Sequence, residues 1–445
     1  MVTIPANVGS QFQLDDPTAY YQYEHWSRQR LQAYQAQALQ TCRQYAYAHS
    51  PFYQRFHRGL MDHRLQELPA LTKEMVMEHF DDLVTDRAIR LHDVKEYLAY
   101  TDGRQLFLNR YRVMGTSGST GQPGLFIYDR AEAPILLTSF ARGFLWSGIT
   151  AASKVALIAS TAPSHMSAQF PVIIRGQMLP TLHLAATDPV ETNVQRLNEM
   201  QPDVVALYPS IVPVFNREKR EGRLTITPRV IACSAEPLTE ERRREMEEVW
   251  GIQPFNAYAT TEAGVMASEC EFHQGMHLFE DMMVVEVVDQ ENRPVPPEAT
   301  GDKILLTVLF RRAQPLIRYE MTDLLRRSSI ENCPCGRHFE LIDTIQGRKL
   351  DVLHFPARKG GEIAVTSDIF NSVLDISPVT GWQVVRERDG LRILLTGASE
   401  KLLDEQVVDA LQRALARQDI IVPPIQVQRV TTLIKNASGK TPMII

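Results

Sequence analysis

The sequence has few cysteines, no long apolar run and no strong excess of charge of either sign. Five cysteines among 445 residues cannot form the disulfide framework of a small secreted scaffold. No apolar run approaches the roughly 20 residues of a membrane-spanning helix, and the first residues lack the pattern of a secretion signal. We therefore expect a cytoplasmic protein whose cysteines are reduced thiols or metal ligands.

The charge is also unremarkable, because the formal net charge is −6 at pH 7. This value gives no general attraction to nucleic acid or to an anionic membrane. The basic run Arg242–Arg244 lies among glutamates and is typical of a solvated helix face. The length suits two or three domains and a large buried core.

The first hundred residues predict helices. Apolar residues recur at helical spacing from residue 21 until Ser50 and Pro51 end the pattern. The segment LPALTKEMVMEHFDDL then predicts a turn, a helix cap at Thr72 and a second helix.

From residue 154 the pattern alternates between strands and helices. Short β-branched runs at 154–160, 203–208 and from Arg229 predict buried strands, and the segments 189–200, 211–222 and 238–250 predict helices between them. This alternation favours a parallel sheet with crossovers. Ligands bind beyond the carboxyl ends of such strands, so the loops 208–210, 233–237 and 258–264 are candidate site loops.

Two further patterns complete the predicted architecture. Residues 282–310 predict an antiparallel pair of strands around a turn rich in proline and glycine. After Gly347 and Arg348 the chain predicts a small α+β domain of about a hundred residues. The expected fold is α/β, with a large domain over 1–347 that combines parallel-sheet subdomains and an antiparallel β portion, and a small domain over 348–445.

The stretch from Thr116 to Gly124 is rich in glycine and hydroxyl side chains. Such a loop can bring N–H and O–H groups onto a phosphate, and it can equally be a flexible hairpin loop. It is not a P-loop, because Leu125 and not lysine follows Gly124. It also lacks the G-x-G-x-x-G spacing of a dinucleotide site.

Five segments in order resemble the motifs of the adenylate-forming superfamily, which includes acyl- and aryl-CoA ligases and peptide-synthetase adenylation domains. They are TSGSTGQPG (116–124), NAYATTEAG (256–264), PLIRYEMTDL (315–324), IQGRKLDVL (345–353) and NASGKTP (436–442). The PLIRY segment followed by CPCGR is similar to the phenylacetate-CoA ligase-like branch.

The resemblance implies a large domain, a small mobile domain and a two-step reaction. An acid and ATP give an acyl-adenylate and pyrophosphate, and a thiol then displaces AMP. The implied cofactors and partners are ATP and AMP, Mg²⁺, a small carboxylic acid that is aromatic or arylacetic, and CoA or the phosphopantetheine of a carrier protein. Nucleic acid and membrane are not expected partners, and a homodimer stays open.

The resemblance also assigns roles to individual residues. Glu262 is the implied Mg²⁺ ligand, Thr261 touches the α-phosphate, and Lys440 is the catalytic lysine that the small domain brings to the site and removes again. Asp323 accepts hydrogen bonds from the ribose hydroxyls, with Arg348 as a further ribose or phosphate contact. The phosphate loop is Thr116, Ser117, Gly118, Ser119, Thr120 and Gly121, and the adenine is framed by Ala235, Glu236, Pro237, Asn256, Ala257 and Tyr258.

A second constellation consists of cysteine and histidine. Cys270, His277, Cys333 and Cys335 would make a closed Zn²⁺ site of the structural kind, and the resemblance supports it because some members of the branch carry these residue types there. His273 is an alternative to His277, and reduced cysteines without a metal are the alternative to the site itself. The remaining two cysteines, Cys42 and Cys233, are expected in packing.

The sequence departs from the family pattern where the acceptor is handled. Leu350 replaces the usual first aspartate of the hinge, Met321 and Thr322 replace a Thr-Gly pair, and the segment after the hinge lacks the usual R-G-x-N-x-F-P sequence. CoA, a carrier-protein thiol and an amine therefore stay open as acceptors, as does a non-catalytic nucleotide-binding relative. The acyl pocket is expected from 160–170 and 207–211, where His165 either meets a polar ring substituent or is structural.

Overall fold

The structure is a computed structural model that describes residues 14–116, 124–173, 180–348, 353–365, 367–375, 377–418, 420–435 and 440–445. The α-helices in these ranges are α1 (Tyr20–Tyr23), α2 (Arg28–His49), α3 (Pro51–Phe56), α4 (Lys73–Glu78), α5 (Phe80–Leu83), α6 (Leu91–Tyr100), α7 (Ala133–Trp146), α8 (Met166–Ile173), α9 (Val190–Met200), α10 (Val212–Arg220), α11 (Glu240–Trp250), α12 (Ser367–Leu374) and α13 (Asp404–Ala416). None of these helices combines the length and apolarity needed to cross a bilayer.

The strands of the same ranges are β1 (Tyr111–Gly115), β2 (Leu125–Asp129), β3 (Val155–Ala159), β4 (Thr181–Ala185), β5 (Val204–Leu207), β6 (Val230–Ser234), β7 (Phe255–Thr260), β8 (Gly264–Glu269), β9 (Met276–Leu278), β10 (Met283–Val288), β11 (Lys303–Val308), β12 (Tyr319–Met321), β13 (Asp323–Arg327), β14 (Leu341–Arg348), β15 (Leu353–Pro356), β16 (Glu362–Val365), β17 (Gly381–Glu387), β18 (Gly390–Thr396) and β19 (Ile425–Arg429).

In the described ranges, a sheet of nine strands forms the centre, in the order β13-β14-β9-β8-β7-β6-β5-β3-β4. The five strands at one side of the sheet, β4, β3, β5, β6 and β7, run parallel. On the other side, β8, β9, β14 and β13 continue the sheet with antiparallel pairing. The predicted alternation of strands and helices is confirmed, with β4 and β7 as strands that the sequence did not predict. Because parallel strands end at one edge, the loops after β5, β6 and β7 lie side by side.

Helices cover both faces of the parallel part of this sheet. Strand residues such as Val205 and Ile231 pack with α9, α10 and α11 on one face. Helix α7 lies on the other face and against β8, which two glycines make possible. A Cβ at Gly264, whose φ is 79°, would lie 2.5 Å from Leu136, and a Cβ at Gly143 would lie 2.9 Å from the Ser268 hydroxyl.

The helix break and the helix cap that the sequence predicts near the amino terminus are both present. Ser50 caps α3 by accepting a hydrogen bond from the Tyr53 N–H, and Pro51 occupies the first turn, where its missing N–H is harmless. Thr72 caps α4 in the same way, as the sequence predicts. Cys42 is completely buried, in agreement with its expected packing role.

The antiparallel pair of strands predicted over residues 282–310 is also present. Strands β10 and β11 pair with Met283 opposite Val308. The carboxyl-terminal residues form two small sheets, β15-β16 and β17-β18-β19, with α12 and α13 around an apolar cluster of their own that contains Phe370, Trp382 and Leu411. We call the described residues from 353 onward the small domain and the preceding ones the large domain.

The prediction of a solvated basic face on α11 is wrong for two of its three arginines. Arg243 is buried, and its guanidinium donates to the Glu269 carboxylate at 2.6 Å and to the Pro254 carbonyl at 2.7 Å. Arg242 is also buried and faces the small domain, whereas Arg244 is exposed. Neighbouring glutamates in the sequence suggested solvent, but the partners of the buried arginines come from distant segments.

Candidate active site

A cavity of about 510 Å³ opens at the carboxyl edge of the parallel strands. Its wall includes the loops after β5, β6 and β7, as the topology predicts. Ala235, directly after β6, has a φ of 70°. This left-handed conformation is unfavourable for a residue with a Cβ, and such strain persists where the surrounding structure fixes the backbone, often at functional sites.

Motif residues that are far apart in the sequence line this one cavity. They are Thr116, Ala235, Glu236, Pro237, Asn256, Ala257, Tyr258, Thr261, Glu262, Asp323 and Lys440. The backbone of Arg348 pairs with Asp323 across β13 and β14, which brings the hinge segment to the same place. The other predicted phosphate-loop residues, Ser117, Gly118, Ser119, Thr120 and Gly121, lie outside the described residues.

The two ends of the candidate phosphate loop are joined by Thr116. Its N–H donates to the Gly124 carbonyl at 2.9 Å, and its hydroxyl oxygen accepts from the Gly124 N–H at 2.8 Å. Thr116 therefore closes the hairpin between β1 and β2 at the point where the loop begins. Its hydroxyl hydrogen is not used in these two bonds and can still donate to a ligand.

Carboxylates gather on one side of the cavity. Glu262 is 8% exposed and Asp323 is 7% exposed, and both line the cavity. Burial, together with the nearby charges of Glu262, Glu74 and Asp323, raises the pKa of the Tyr319 phenol well above its usual range. The negative field that acts on Tyr319 is the environment that a divalent cation would neutralise, and carboxylate oxygen is a ligand type that Mg²⁺ prefers.

Buried groups hold the turn that carries Thr261 and Glu262. The Tyr128 hydroxyl donates to the Thr261 carbonyl at 2.8 Å, and the Arg311 guanidinium donates to the Glu262 carbonyl at 2.9 Å. Arg311 also lies 3.8 Å from the centre of the Tyr128 ring, a cation–π contact. Because Tyr128 belongs to β2, this network fixes the turn relative to the hairpin that carries the phosphate loop.

Lys440 comes from the small domain and reaches the cavity. Its ammonium nitrogen lies 5.5 Å from the centre of the Tyr208 ring. The next residue, Thr441, donates its N–H to the Glu236 carboxylate at 3.3 Å, and the other oxygen of Glu236 accepts from the Ser210 N–H at 2.8 Å. Glu236 thus ties the segment of Lys440 to the loops after β5 and β6.

The inner part of the cavity is an apolar space that the sequence did not reveal. Leu157, Ala206, Ala232 and Phe255 lie side by side on β3, β5, β6 and β7. Phe140 and Phe144 of α7 line the cavity as well. We call these six residues the alanine slot, since two methyl groups on adjacent strands leave a gap about two strand spacings wide between larger side chains.

Two residues closer to the amino ends of these strands, larger side chains fill the space. Val155, Val204 and Val230 form a buried cluster with Ile149, against which Phe144 and Phe255 pack. The alanine slot is therefore a blind end of the cavity with apolar walls. It is closed by the next row of side chains toward the amino ends of the strands. The predicted pocket segments 160–170 and 207–211 line the same cavity through His165, Tyr208 and their neighbours.

His165 is held by local hydrogen bonds. Its Nδ1 lies 2.8 Å from the Ser167 hydroxyl, which donates to the Ser160 carbonyl at 2.7 Å. Burial, and then the charges of Lys440 and His183, lower the pKa of the His165 imidazole to about 3. The ring is therefore neutral at physiological pH.

The four predicted metal ligands lie together in a separate place. One ligand atom from each of Cys270, His277, Cys333 and Cys335 falls within 4.8 Å of all the others. The sulfurs of Cys270 and Cys333 are 3.5 Å apart, and the Cys335 sulfur is 3.3 Å from His277 Nε2. The other ring nitrogen of His277 lies 3.4 Å from the Phe339 carbonyl, which is the outer partner that a ligating histidine usually has.

His273, the alternative ligand, is not in this cluster. Its Nδ1 lies 3.0 Å from the Glu269 carboxylate, and its ring packs on Phe255 with the centroids 4.4 Å apart. His277 lies on β9, opposite Leu341 of β14, and this pairing brings it to the loop that carries Cys333 and Cys335. The pairing of the strands, which the sequence did not predict, distinguishes the two histidines.

No family model matches the chain. It is 26% identical over 436 residues to a phenylacetate-coenzyme A ligase of Thermus thermophilus, with 90% of each chain covered. It is 25% identical over 351 residues to the Escherichia coli enzyme of the same name, with 73% of this chain and 72% of that one covered.

Among solved structures, 2-hydroxyisobutyryl-CoA ligase in the postadenylation state has a TM-score of 0.75 at 20% identity and covers all of this chain and 94% of its own. The same enzyme in the thioesterification state has a TM-score of 0.62 at 21% identity, with 98% of this chain and 94% of that chain covered. The arrangement of the whole chain is thus closer to the first state.

The two-domain α/β architecture is that of the adenylate-forming ligases. In sequence, the chain is similar to the phenylacetate-coenzyme A ligases.

Proposed function

We propose that this protein activates an aryl- or arylacetic acid with ATP and transfers the acyl group to CoA. By class it is an AMP-forming acid–thiol ligase. A carboxylate oxygen of the acid attacks the α-phosphorus of ATP, pyrophosphate leaves, and the thiol then attacks the acyl carbonyl and releases AMP. The observation that carries the proposal is the convergence of Glu262, Asp323 and Lys440 on one cavity.

The charges around the cavity suit the first step. The attacking carboxylate and the phosphates repel each other, so positive charge is needed where negative charge develops. The Lys440 ammonium is a compact charge on a flexible stem, suited to the space between the carboxylate and the α-phosphate. Glu262 would hold Mg²⁺, which neutralises phosphate oxygens when it is bound, and Asp323 would accept from the ribose hydroxyls.

The alanine slot supports the choice of acid. Its apolar walls favour a flat or branched hydrocarbon group and disfavour a second charge, because a buried charge without a partner is costly. The blind end behind Phe144 and Phe255 limits the length of that group. An aryl or arylmethyl group attached to the carboxylate fits these conditions.

We also propose that Cys270, His277, Cys333 and Cys335 hold one structural Zn²⁺. Tetrahedral zinc with sulfur ligands places neighbouring ligand atoms about 3.8 Å apart, close to the separations between these side chains. Three thiols and one imidazole are a donor set that zinc prefers and that leaves no open position for a substrate. The metal would fix the loop after β8 to the loop before β14.

The test is pyrophosphate release from ATP with a panel of acids that includes phenylacetate, benzoate, acetate and hexanoate. Each acid is offered with CoA, with a phosphopantetheine-bearing carrier protein and with an amine, and the products are identified by mass. We expect release with the aryl acids and a CoA thioester as product. Release with none of the acids would favour a non-catalytic nucleotide-binding relative, and a carrier-bound or amide product would change the acceptor.

A further inference from the structure

Asp375 lies directly after α12 of the small domain, at the surface that meets the large domain. Its side chain is only 3% exposed. One carboxylate oxygen accepts a hydrogen bond from the Trp382 indole N–H at 2.6 Å, a contact within the small domain. This bond fixes the orientation of the carboxylate toward its other partners.

Those other partners belong to the large domain. The Thr239 hydroxyl donates to the second carboxylate oxygen at 2.8 Å, and a guanidinium nitrogen of Arg242 lies 3.6 Å from the first. Among the described residues, Asp375 is the acidic side chain that forms an ion pair with Arg242. A buried arginine needs such a counter-charge, because burying an unpaired charge is costly.

Thr239 forms hydrogen bonds with residues of both domains. It caps α11 by accepting a hydrogen bond from the Arg242 N–H at 3.2 Å, while its own hydrogen goes to Asp375. The carboxylate of Asp375 therefore lies next to the amino terminus of α11, where the helix dipole favours negative charge. Thr239 follows Pro237 by two residues, so the contact is made on the segment that also forms the candidate adenine site.

A second contact between the domains is made by Lys435, five residues before Lys440 in the sequence. The Lys435 ammonium donates to the Ala186 carbonyl at 2.9 Å. Together with the bond from Thr441 to Glu236, it holds the terminal segment in the orientation that brings Lys440 to the cavity. Of these contacts, the one at Asp375 involves charge on both sides of the interface.

We propose that Asp375 is a positioning residue that stabilises the adenylate-forming orientation of the small domain and no other. The inference rests on the proposed function, since it concerns when Lys440 reaches the reacting groups. When the small domain turns away, Asp375 keeps its bond from Trp382 but loses Thr239 and Arg242. The contact therefore favours the first half-reaction and contributes nothing to the second.

The first experiment compares the two half-reactions in Asp375→Asn. The amide oxygen still accepts from Trp382, but the charge opposite Arg242 is gone. We expect acid-dependent pyrophosphate exchange to fall about tenfold, the scale of one hydrogen bond to a charged group. Thioester formation from supplied phenylacetyl-adenylate and CoA should stay within twofold. Asp409→Asn, an exposed aspartate on α13, is the matched control and should change neither.

A second variant approaches the contact from the large domain. Aspartate caps helices as well as threonine does, so Thr239→Asp keeps the cap of α11 while it places a like charge against Asp375. We expect a larger loss of exchange than in Asp375→Asn. Adding Asp375→Asn to Thr239→Asp should recover part of the exchange, which a defect in folding alone would not do.

The orientation can be measured without any acid. Spin labels at Arg196→Cys and Arg388→Cys, two exposed positions on different domains, report the distance between the domains. The parent chain is labelled in parallel, so that the signal of labels on its native thiols can be subtracted. We expect Asp375→Asn and Thr239→Asp to reduce the population at the distance seen in the unaltered chain with ATP. An equal loss of both half-reactions, or an unchanged distribution of distances, would overturn the inference. If the unaltered chain adenylates no acid, the proposed function fails, and the distances still decide the role of Asp375.

Discussion

The Cys/His cluster and the motif cavity are built in opposite ways. The cluster takes its four ligands from the large domain, and three of them are buried. The cavity takes its motif residues from positions between Thr116 and Lys440, and both domains line it. A site whose residues all lie in one domain can maintain the shape of that domain. A site divided between two domains can be assembled and taken apart. We therefore expect changes in the cluster to affect stability and changes in the cavity to affect turnover.

The largest effect is expected at Glu262. Glu262→Gln keeps the shape of the side chain but removes the charge that would hold Mg²⁺ against ATP, and pyrophosphate release should fall at least about 10²-fold. The melting temperature should be nearly unchanged. Glu320→Gln is a suitable control, since Glu320 also lines the cavity but forms an ion pair with Lys303 at 2.7 Å. Near-normal release in Glu262→Gln would show that this carboxylate is not the metal ligand.

The cluster should show the reverse behaviour. Purified protein should hold about one equivalent of zinc, and Cys333→Ser should lose the metal and melt several degrees lower, because binding to a preformed site adds to the free energy of unfolding. Adenylation by the protein that stays folded should change little. Cys42→Ala, which alters a buried thiol outside the cluster, should keep its zinc. A parent protein without zinc would contradict the proposed site.

A smaller effect is expected in the alanine slot. Ala232→Leu fills the gap between Leu157 and Phe255, so adenylation of phenylacetate should fall about tenfold or more while that of acetate is retained. Ala232→Gly enlarges the gap and is the control of opposite sign. Equal changes for both acids would mean that the acyl group binds elsewhere.

The smallest effect is expected from the titration of His165. Burial keeps the pKa of its imidazole at about 3, so the ring stays neutral as the pH falls from 8 to 5. His165→Gln should therefore leave the shape of the pH profile of adenylation unchanged over that range, whatever it does to the rate. If the pH profile of adenylation has an inflection near pH 6.5 that is absent in His165→Gln, the ring titrates in the working enzyme.

The sequence predicts some parts of this molecule far better than others. The convergence of Glu262, Asp323 and Lys440 on one cavity could be predicted because their neighbours form recognisable segments, and the parallel sheet could be predicted because its strands alternate with helices. Ala206 and Ala232 carry no such signal, since an alanine in a buried strand is ordinary until the opposite helix is seen. The burial of Arg242 cannot be predicted from its sequence neighbours, because its partner, Asp375, lies in the other domain.

We propose that Lys440 serves one half-reaction and is delivered to the cavity by the small domain. The most direct test measures both half-reactions in Lys440→Ala: acid-dependent pyrophosphate exchange, and thioester formation from supplied phenylacetyl-adenylate and CoA. We expect exchange to be abolished and thioester formation to stay largely intact. Persistence of exchange, or an equal loss of both half-reactions, would contradict this proposal.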